Sequence, residues 1–393
     1  MLEIMSGEDR CTMINSAKIP CSGCLSCLNI CPRDAISLAV DERGFSYPVV
    51  NQGKCIQCGL CEKACPCYTA LENVPVHEIK GWGGIHENNS VLEKSQSGGA
   101  FAALAEVVLK RKGTVYGAAI DKDFEVKQKR IVDLSEIALL QGSKYVQSNV
   151  ERTFTECARD LLAGKEVLYS GTSCIIDGLL HYLQTRRINT VGLTTVDLIC
   201  HGVPSPGLYK ENLKRLESIH NSSLLSLNFR DKGYAGWHTP CETYQFHKGC
   251  IVHENYWAEV MYSHIALREC CYTCKYSKIE NRPADLTIAD FWGVEKCHPN
   301  FKDDNVGCSL IITHTEKGEA LLKQAPINLF ETDTEKAVSC NMTRPAHKPK
   351  FYDAFWKDYH NNGFEHALKK YTIYGGTRFR VKRKILKVLK LWE

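Results

Sequence analysis

The sequence predicts an α/β protein, α+β overall. A small N-terminal domain built on a cysteine repeat precedes an α/β body with a mixed, partly parallel sheet. Three observations point there. Two cysteine runs of identical spacing lie before Pro66. After Pro75 cysteines thin out and strand and helix patterns alternate. A strand, turn, helix, strand, turn, helix succession then runs from 166 to 218. The 393 residues suit two or three domains. The divisions expected are 1–75, 76–165 and 166–330 (the two parts of the body), and a helical extension over 331–393. Apolar residues at 44% and charged residues at 24% argue against disorder and coiled coil. No run approaches the roughly 18 apolar residues of a spanning helix. The start, MLEIMSGEDRC, has no basic stretch followed by an apolar one. A cytoplasmic location is therefore expected. There thiols stay reduced, so 21 cysteines point to metal rather than to disulfides.

Cysteines stand at 21, 24, 27 and 31 before Pro32, and again at 55, 58, 61 and 65 before Pro66. Both runs read C-x2-C-x2-C-x3-C-P, the two-cluster ferredoxin spacing. Three thiolates at three-residue steps wrap one corner of a [4Fe–4S] cube. The fourth points away and ligates the other cube. Cys21, Cys24, Cys27 and Cys65 are thus expected on one cluster, and Cys55, Cys58, Cys61 and Cys31 on the second. Zinc knuckles use two pairs rather than runs of four ending in Cys-Pro. Between the runs, Ala35–Val40 and Phe45–Val50 read as short strands about a turn at Glu42–Gly44. Cys11 and Cys67 fall outside the spacing and read as plain thiols.

In the body, Ser97-Gly98-Gly99 leads into a helix with Phe101, Leu104, Val107 and Val108 on one face and Gly113 as C-cap. Such a turn offers backbone N–H groups to a phosphate, or is merely a tight connection. Residues 166–170 read as a buried strand, followed by Gly171-Thr172-Ser173-Cys174 and a helix from Ile175 to about Gln184. Residues 194–200 read as a second strand. Ser205 then caps, and Pro206 opens, the next helix. This unit requires parallel strands with a right-handed crossover. Ligands of such sheets gather at the strands' carboxyl ends. Cys174 and Cys200 follow those ends and should meet in space. With the pair Cys271 and Cys274 they would complete a third [4Fe–4S] site. Core thiols, a redox dithiol or half a zinc site are the alternatives for the same residues. Aromatics interleaved with charge at 228–237 and 290–293 suit a flat, partly anionic ligand, or a turn with a surface salt bridge and packed Trp.

These residues carry a resemblance to the coenzyme F420 hydrogenase/dehydrogenase beta-subunit family behind a ferredoxin domain. The matching stretches are SQSGGAFAALAEVVL at 95–109, GSKYVQS at 142–148, GTSCIIDGLLHYL at 171–183 and DLICHGVPSP at 197–206. They continue with FRDKGYAGW at 229–237, CYTCKYSKIENRPADLTIADFWG at 271–293 and GCSLIITHTEKG at 307–318. The resemblance implies FAD and one [4Fe–4S] cluster in the body, the latter on Cys174, Cys200, Cys271 and Cys274. Cys270 beside Cys271 leaves the fourth ligand ambiguous. It implies Ser97, Gly98 and Gly99 at the flavin phosphates and Lys144, Tyr145 and Ser148 in the flavin pocket. Gly171 and Thr172 complete the cofactor-binding set. Cys308 stands where an apolar residue is usual and reads as core. Relatives reduce the deazaflavin coenzyme, sulfite or chlorophyll derivatives. Many bacterial copies with the ferredoxin first accompany polysaccharide biosynthesis genes.

The last stretch, 366–393, has nine Lys/Arg and one Glu, a charge of +8, so the rest of the chain sums to −4 against the total of +4. Over 377–393 an apolar face (Val381, Ile385, Val388, Leu389, Trp392) opposes a basic one. Such a helix rests on an anionic membrane surface, docks on an acidic partner, or packs on its own domain. No nucleic-acid recognition module accompanies the charge. The function expected is an iron–sulfur flavoprotein oxidoreductase. A ferredoxin-type or other redox protein donates electrons, a small organic molecule or F420-like acceptor receives them, and Arg230, Lys232 and Asp290 line the substrate pocket. A non-catalytic electron-transfer subunit and an iron–sulfur sensor or scaffold without flavin are the rivals.

Overall fold

The computed structural model describes residues 19–71, 78–302, 304–337 and 344–372. Cys11 and the basic helix expected over 377–393 lie outside these residues. In the N-terminal domain, strands β1 (Ile36–Val40) and β2 (Ser46–Val50) form an antiparallel hairpin close to the predicted bounds. Each cysteine run wraps through two left-handed residues at matching positions. These are Gly23 (φ 73°) and Leu25 (φ 58°) in the first run, and Gln57 (φ 53°) and Gly59 (φ 70°) in the second. The repeat is thus one of backbone conformation as well as of spacing. Each copy places glycine at one of its two strained positions and spends a non-glycine residue at the other.

The body is one eight-stranded sheet. Its strands are β3 (Lys80–His86), β4 (Thr114–Ile120), β5 (Val126–Ile131), β6 (Val167–Thr172), β7 (Leu193–Leu198), β11 (Leu286–Asp290), β12 (Ser309–Thr313) and β13 (Ile327–Thr332). They lie in the order β13-β3-β12-β11-β7-β6-β4-β5. The central run β4, β6, β7 and β11 is parallel, and the outer pairs are antiparallel. Val167, Leu168, Tyr169 and Val196 are fully buried, as a strand covered on both faces requires. Helix Ala100–Lys110 packs one face through Leu104 and Val108. Helices Thr153–Leu162 and Ser173–Thr185 pack the other through Phe154, Ile176 and Leu179. The chain leaves the first of these helices through Lys112 (φ 63°), so a lysine, not the expected Gly113, takes the left-handed turn.

A second layer holds a three-stranded antiparallel sheet of β8 (Leu224–Asn228), β9 (Glu242–Phe246) and β10 (Ile251–Glu254). It shares an aromatic core with helix Pro206–His220 and helices Tyr352–Asn362 and Phe364–Tyr371. Ser205 caps the first of these as expected, its Oγ accepting from Leu208 N at 3.2 Å. The N-terminal domain docks on helix Ser173–Thr185. Leu25, Ile30 and Ala64 join that helix's core, each large side chain contributing about 1.5–3 kcal/mol of burial. Gly178 permits the contact. A Cβ there would stand 2.7 Å from Cys24 Cβ and 2.8 Å from its Sγ. Among the described residues no helix is long and apolar enough to cross a membrane.

Candidate functional site

In the first cysteine run, Cys27 lies within electrostatic reach of Cys21 and Cys24, and of both Cys61 and Cys65 of the second run. Burial pushes the Cys24 thiol up to about 12, so it stays a neutral thiol until iron displaces the proton. Cys31 joins Cys55, Cys58 and Cys61 around one small hollow. The buried Ser26 Oγ, between Cys24 and Cys27, has no hydrogen-bond partner. Cys67 lies against Cys65 and raises its thiol, an arrangement the spacing did not indicate.

The body thiols gather by parallel-strand geometry. Thr172 of β6 and Leu198 of β7 are register partners. Cys174 and Cys200 each stand two residues beyond. Cys174 is already in the first turn of helix Ser173–Thr185, because strand and helix follow without a loop. Cys270, Cys271 and Cys274 come from the 3-10 helix Glu269–Thr273 and its C-cap. All five thiols line one cavity of about 1080 Å³. Thr172 Oγ1 lies 3.1 Å from Cys174 Sγ, and Gly202 N donates to Cys200 Sγ at 3.3 Å. Burial pushes the Cys200 thiol up to about 11. The Cys270 and Cys271 thiols share a hydrogen bond that lowers the first and raises the second. Arg282 also lines the cavity. Its Nη1 reaches Asp197 Oδ1 at 3.3 Å while its buried Nε has no partner. Soft thiols around a roomy hollow, with a buried cation at the wall, fit an anionic iron–sulfur cluster. Among the described residues no three His, Cys, Asp or Glu side chains converge on the point a single metal ion would occupy. The thiols are spread around cavities instead.

The two rims of this cavity face different neighbours. Pro20, Pro66 and Cys67 bring the ferredoxin domain to one side. On the other, Thr172, Cys174, Cys200, His201, Gly202 and Tyr262 also line a second cavity of about 560 Å³. This cavity sits at the carboxyl ends of the parallel strands, where Gly117, Ser170, Leu198 and Ile288 form its floor. Ser97, Gly99, Lys144, Tyr145, Ser148, Gly171 and Thr172 line it. Gly98 does not. It is wedged against backbone, and a Cβ there would meet Gly84 O at 2.1 Å and Ser309 N at 2.5 Å. Helix Ala100–Lys110 presents its first residues to the cavity. Lys144 Nζ is held by the carbonyls of Leu140 and Gln141 at 2.9 and 2.7 Å. Gln128 Oε1 is buried on the wall without a partner. A helix N-terminus and a small-residue floor fit a flat cofactor with a pyrophosphate, while the Lys144 ammonium is already engaged by backbone carbonyls and burial pushes it down to about 7.

Arg230 and Asp290 line the same cavity but are bound to each other, Nη1 to Oδ2 at 2.8 Å. Trp237 Nε1 donates to Asp290 Oδ1 at 2.7 Å, and Trp237 stacks on Trp292 at 4.6 Å. The salt bridge with packed Trp is therefore present, although Arg230 is buried rather than on the surface. Lys232 turns away from the cavity. Its Nζ donates to the carbonyls of Leu92, Ser97 and Val306 at 2.6, 3.2 and 2.7 Å, and burial pushes it down to about 8. It ties the Ser97 turn in place. His201 stands at the wall between the two cavities, where burial pushes it down to about 4. It lies within the DLICHGVPSP stretch, next to Cys200, the one sequence signal that could have marked it. Cys308 is fully buried in core.

Residues 164–337 match the family of the C terminus of the coenzyme F420 hydrogenase/dehydrogenase beta subunit, and residues 20–69 match a 4Fe-4S dicluster domain. An uncharacterized ferredoxin of Methanocaldococcus jannaschii is 39% identical over 62 residues, which cover 15% of this chain and 38% of that ferredoxin's length. A chain in a xenon-derivatized structure of the F420-reducing [NiFe] hydrogenase complex from Methanosarcina barkeri aligns over 81% of this chain and 96% of its own. The identity is 14% and the TM-score 0.44.

Proposed function

From a body of the coenzyme F420 hydrogenase/dehydrogenase beta-subunit family behind a 4Fe-4S dicluster domain, we propose an iron–sulfur flavoprotein oxidoreductase. It takes electrons from a ferredoxin-type donor and delivers them to a small organic acceptor. When bound, the clusters exchange electrons singly, and a flavin accepts one or two. The observation that carries this reading is the series of sites. The thiol cavity touches the ferredoxin domain at Pro66 and Cys67 and shares the wall at Cys174 and Cys200 with the cavity proposed for FAD. Cys21, Cys24, Cys27 and Cys65, then Cys31, Cys55, Cys58 and Cys61, would hold the first two clusters. Cys174, Cys200, Cys274 and one of the pair Cys270 and Cys271 would hold the third. Gly99, Lys144, Ser148 and Gly171 would seat the flavin, and Tyr262 and His201 would close its edge against water.

Anaerobic purification with iron, sulfide and flavin measured on one sample tests this. About twelve irons with one FAD is the expected result for three four-iron clusters. About eight irons and no flavin would leave only the N-terminal relay. A second reading, an electron-transfer subunit without a substrate of its own, is favoured by the Arg230–Asp290 pair, whose charges already satisfy each other. Turnover by the isolated chain with reduced ferredoxin and candidate acceptors separates the two.

A further inference from the structure

Arg268 belongs to the body yet reaches into the ferredoxin domain, and it is fully buried. Its Nε donates to the Cys21 carbonyl at 2.8 Å, its Nη2 to the Ser46 carbonyl at 3.1 Å and its Nη1 to Gln147 Oε1 at 2.9 Å. Nη2 also lies 3.9 Å from Cys21 Sγ. The guanidinium covers the ring of Tyr47 at 4.1 Å. Gly23, inside the first cysteine run, leaves the space. A Cβ there would meet Gln147 Nε2 at 2.5 Å and Arg268 Nη1 at 3.0 Å. Two residues further along the chain, Cys270 begins the thiol pair of the body cavity. Arg268 thus contacts Cys21 directly, while its carbonyl accepts from Cys271 N at 2.9 Å and the Cys270 and Cys271 thiols lie within its electrostatic reach.

A buried cation needs a counter-charge. The molecule's other buried arginines at these sites have one, Arg230 from Asp290 at 2.8 Å and Arg282 from Asp197 at 3.3 Å. Arg268 differs. Its hydrogen-bond partners are carbonyls, an amide and a thiol, and among the described residues no carboxylate lies within ion-pair distance. Asp41 senses it from further away. The ionisable groups around it are the Tyr47 hydroxyl and the thiols of Cys21, Cys270 and Cys271. We propose that Arg268 is the shared counter-charge of the Cys21 cluster and the body cluster, and holds both at higher reduction potential than a neutral side chain would. The inference rests on the cluster reading above. Each cluster becomes one unit more negative on taking an electron, and a cation in a low-dielectric seam favours that form.

The test is an EPR-monitored redox titration of the full chain, with iron counted on the same samples. In Arg268→Gln the reduced-to-oxidised ratio of the Cys21 cluster at a fixed potential should fall at least tenfold, about 59 mV for one electron. The body cluster should shift the same way. The Cys31, Cys55, Cys58 and Cys61 cluster, none of whose thiols is among the ionisable groups around Arg268, is the internal control and should move less than about twofold. Arg268→Lys keeps the charge and should restore most of the ratio. Should Arg268→Gln lose iron, Gln147→Glu decides, since it sets a carboxylate against the same guanidinium and should lower the ratio in the same direction. Unchanged potentials in an iron-replete neutralised variant overturn this inference and leave the cluster reading intact. A wild-type chain without iron–sulfur signals overturns both.

Discussion

The ferredoxin loops and the body cavity gather thiols in opposite ways. In the loops, eight cysteines follow one another at fixed steps, and left-handed residues at 23, 25, 57 and 59 curl the chain around them. In the body, Cys174 follows one strand, Cys200 follows its neighbour, and Cys270, Cys271 and Cys274 arrive from a segment seventy residues later. The first site is encoded by local conformation and the second by sheet topology. A loop site should tolerate changes elsewhere in the fold. A topological site should depend on the strand register that brings Thr172 level with Leu198.

The largest expected effect breaks the loop site. Cys58→Ala should remove about four irons and abolish ferredoxin-driven turnover, while artificial dyes still reduce the flavin proposed for the neighbouring cavity. Cys31→Ala should erase the same EPR signal as Cys58→Ala, not the signal lost in Cys27→Ala, because the hollow joins Cys31 to the second run. A shared signal between Cys31→Ala and Cys27→Ala would dissolve the cross-ligation.

Next comes the topological site. Cys174→Ala should also cost about four irons yet leave both ferredoxin signals in place. Of Cys270→Ala and Cys271→Ala, one should repeat that loss and the other should keep full iron. Full iron in Cys174→Ala would mean that Cys174 is not a required ligand there.

Gly98→Ala sharpens the comparison at the neighbouring cavity. The new methyl would press on Gly84 O and Ser309 N, and both are backbone atoms. Overpacking of that kind costs about 1–3 kcal/mol, sometimes more. The thermal midpoint should fall and flavin retention on gel filtration should drop, with the cluster signals unaltered.

The last effect lies far from both sites. Glu242 is fully buried in β9 and accepts from Trp257 N and Ala258 N at 3.2 and 2.8 Å. Burial pushes its carboxyl up to about 8. An unfolded glutamate titrates near about 4.3. Between those values the folded chain keeps a proton that the unfolded chain has released, so stability falls as pH rises. Glu242→Gln should flatten the change in thermal midpoint between roughly pH 5 and pH 8. A wild-type midpoint that rises over that range would reverse the sign.

What was legible follows the same division. The cysteine runs and the hairpin between them were readable because each contact is made within a short stretch. The pairing of Cys174 with Cys200 was readable because a β-α-β-α unit permits one hand and one shared edge. Lys232 was not, since a charge among aromatics does not tell which way it points. Three carbonyls at Leu92, Ser97 and Val306 turn it from the cavity. Arg268 carries no local signal either, because Cys21, Ser46 and Gln147 come from other parts of the chain. The resemblance implies Gly98 at a flavin phosphate, but its surroundings make it a packing glycine.

The body cavity is roofed at one side by Pro20, Ser22 and Pro66 and at another by residues 344–348. Its walls are thus made by segments far apart in the order of synthesis. The ferredoxin loops are complete once about the first seventy residues have left the ribosome, whereas the last wall of the cavity emerges long after. If the interior thiols hold the proposed cluster, maturation should run in order, with the N-terminal loops loaded during synthesis and the interior site filled afterwards, just before the late segment closes over it. A pulse-labelled chain stalled short of Arg344 should already carry iron in the loops and exchange any held inside freely with a chelator. The finished chain should release that iron slowly.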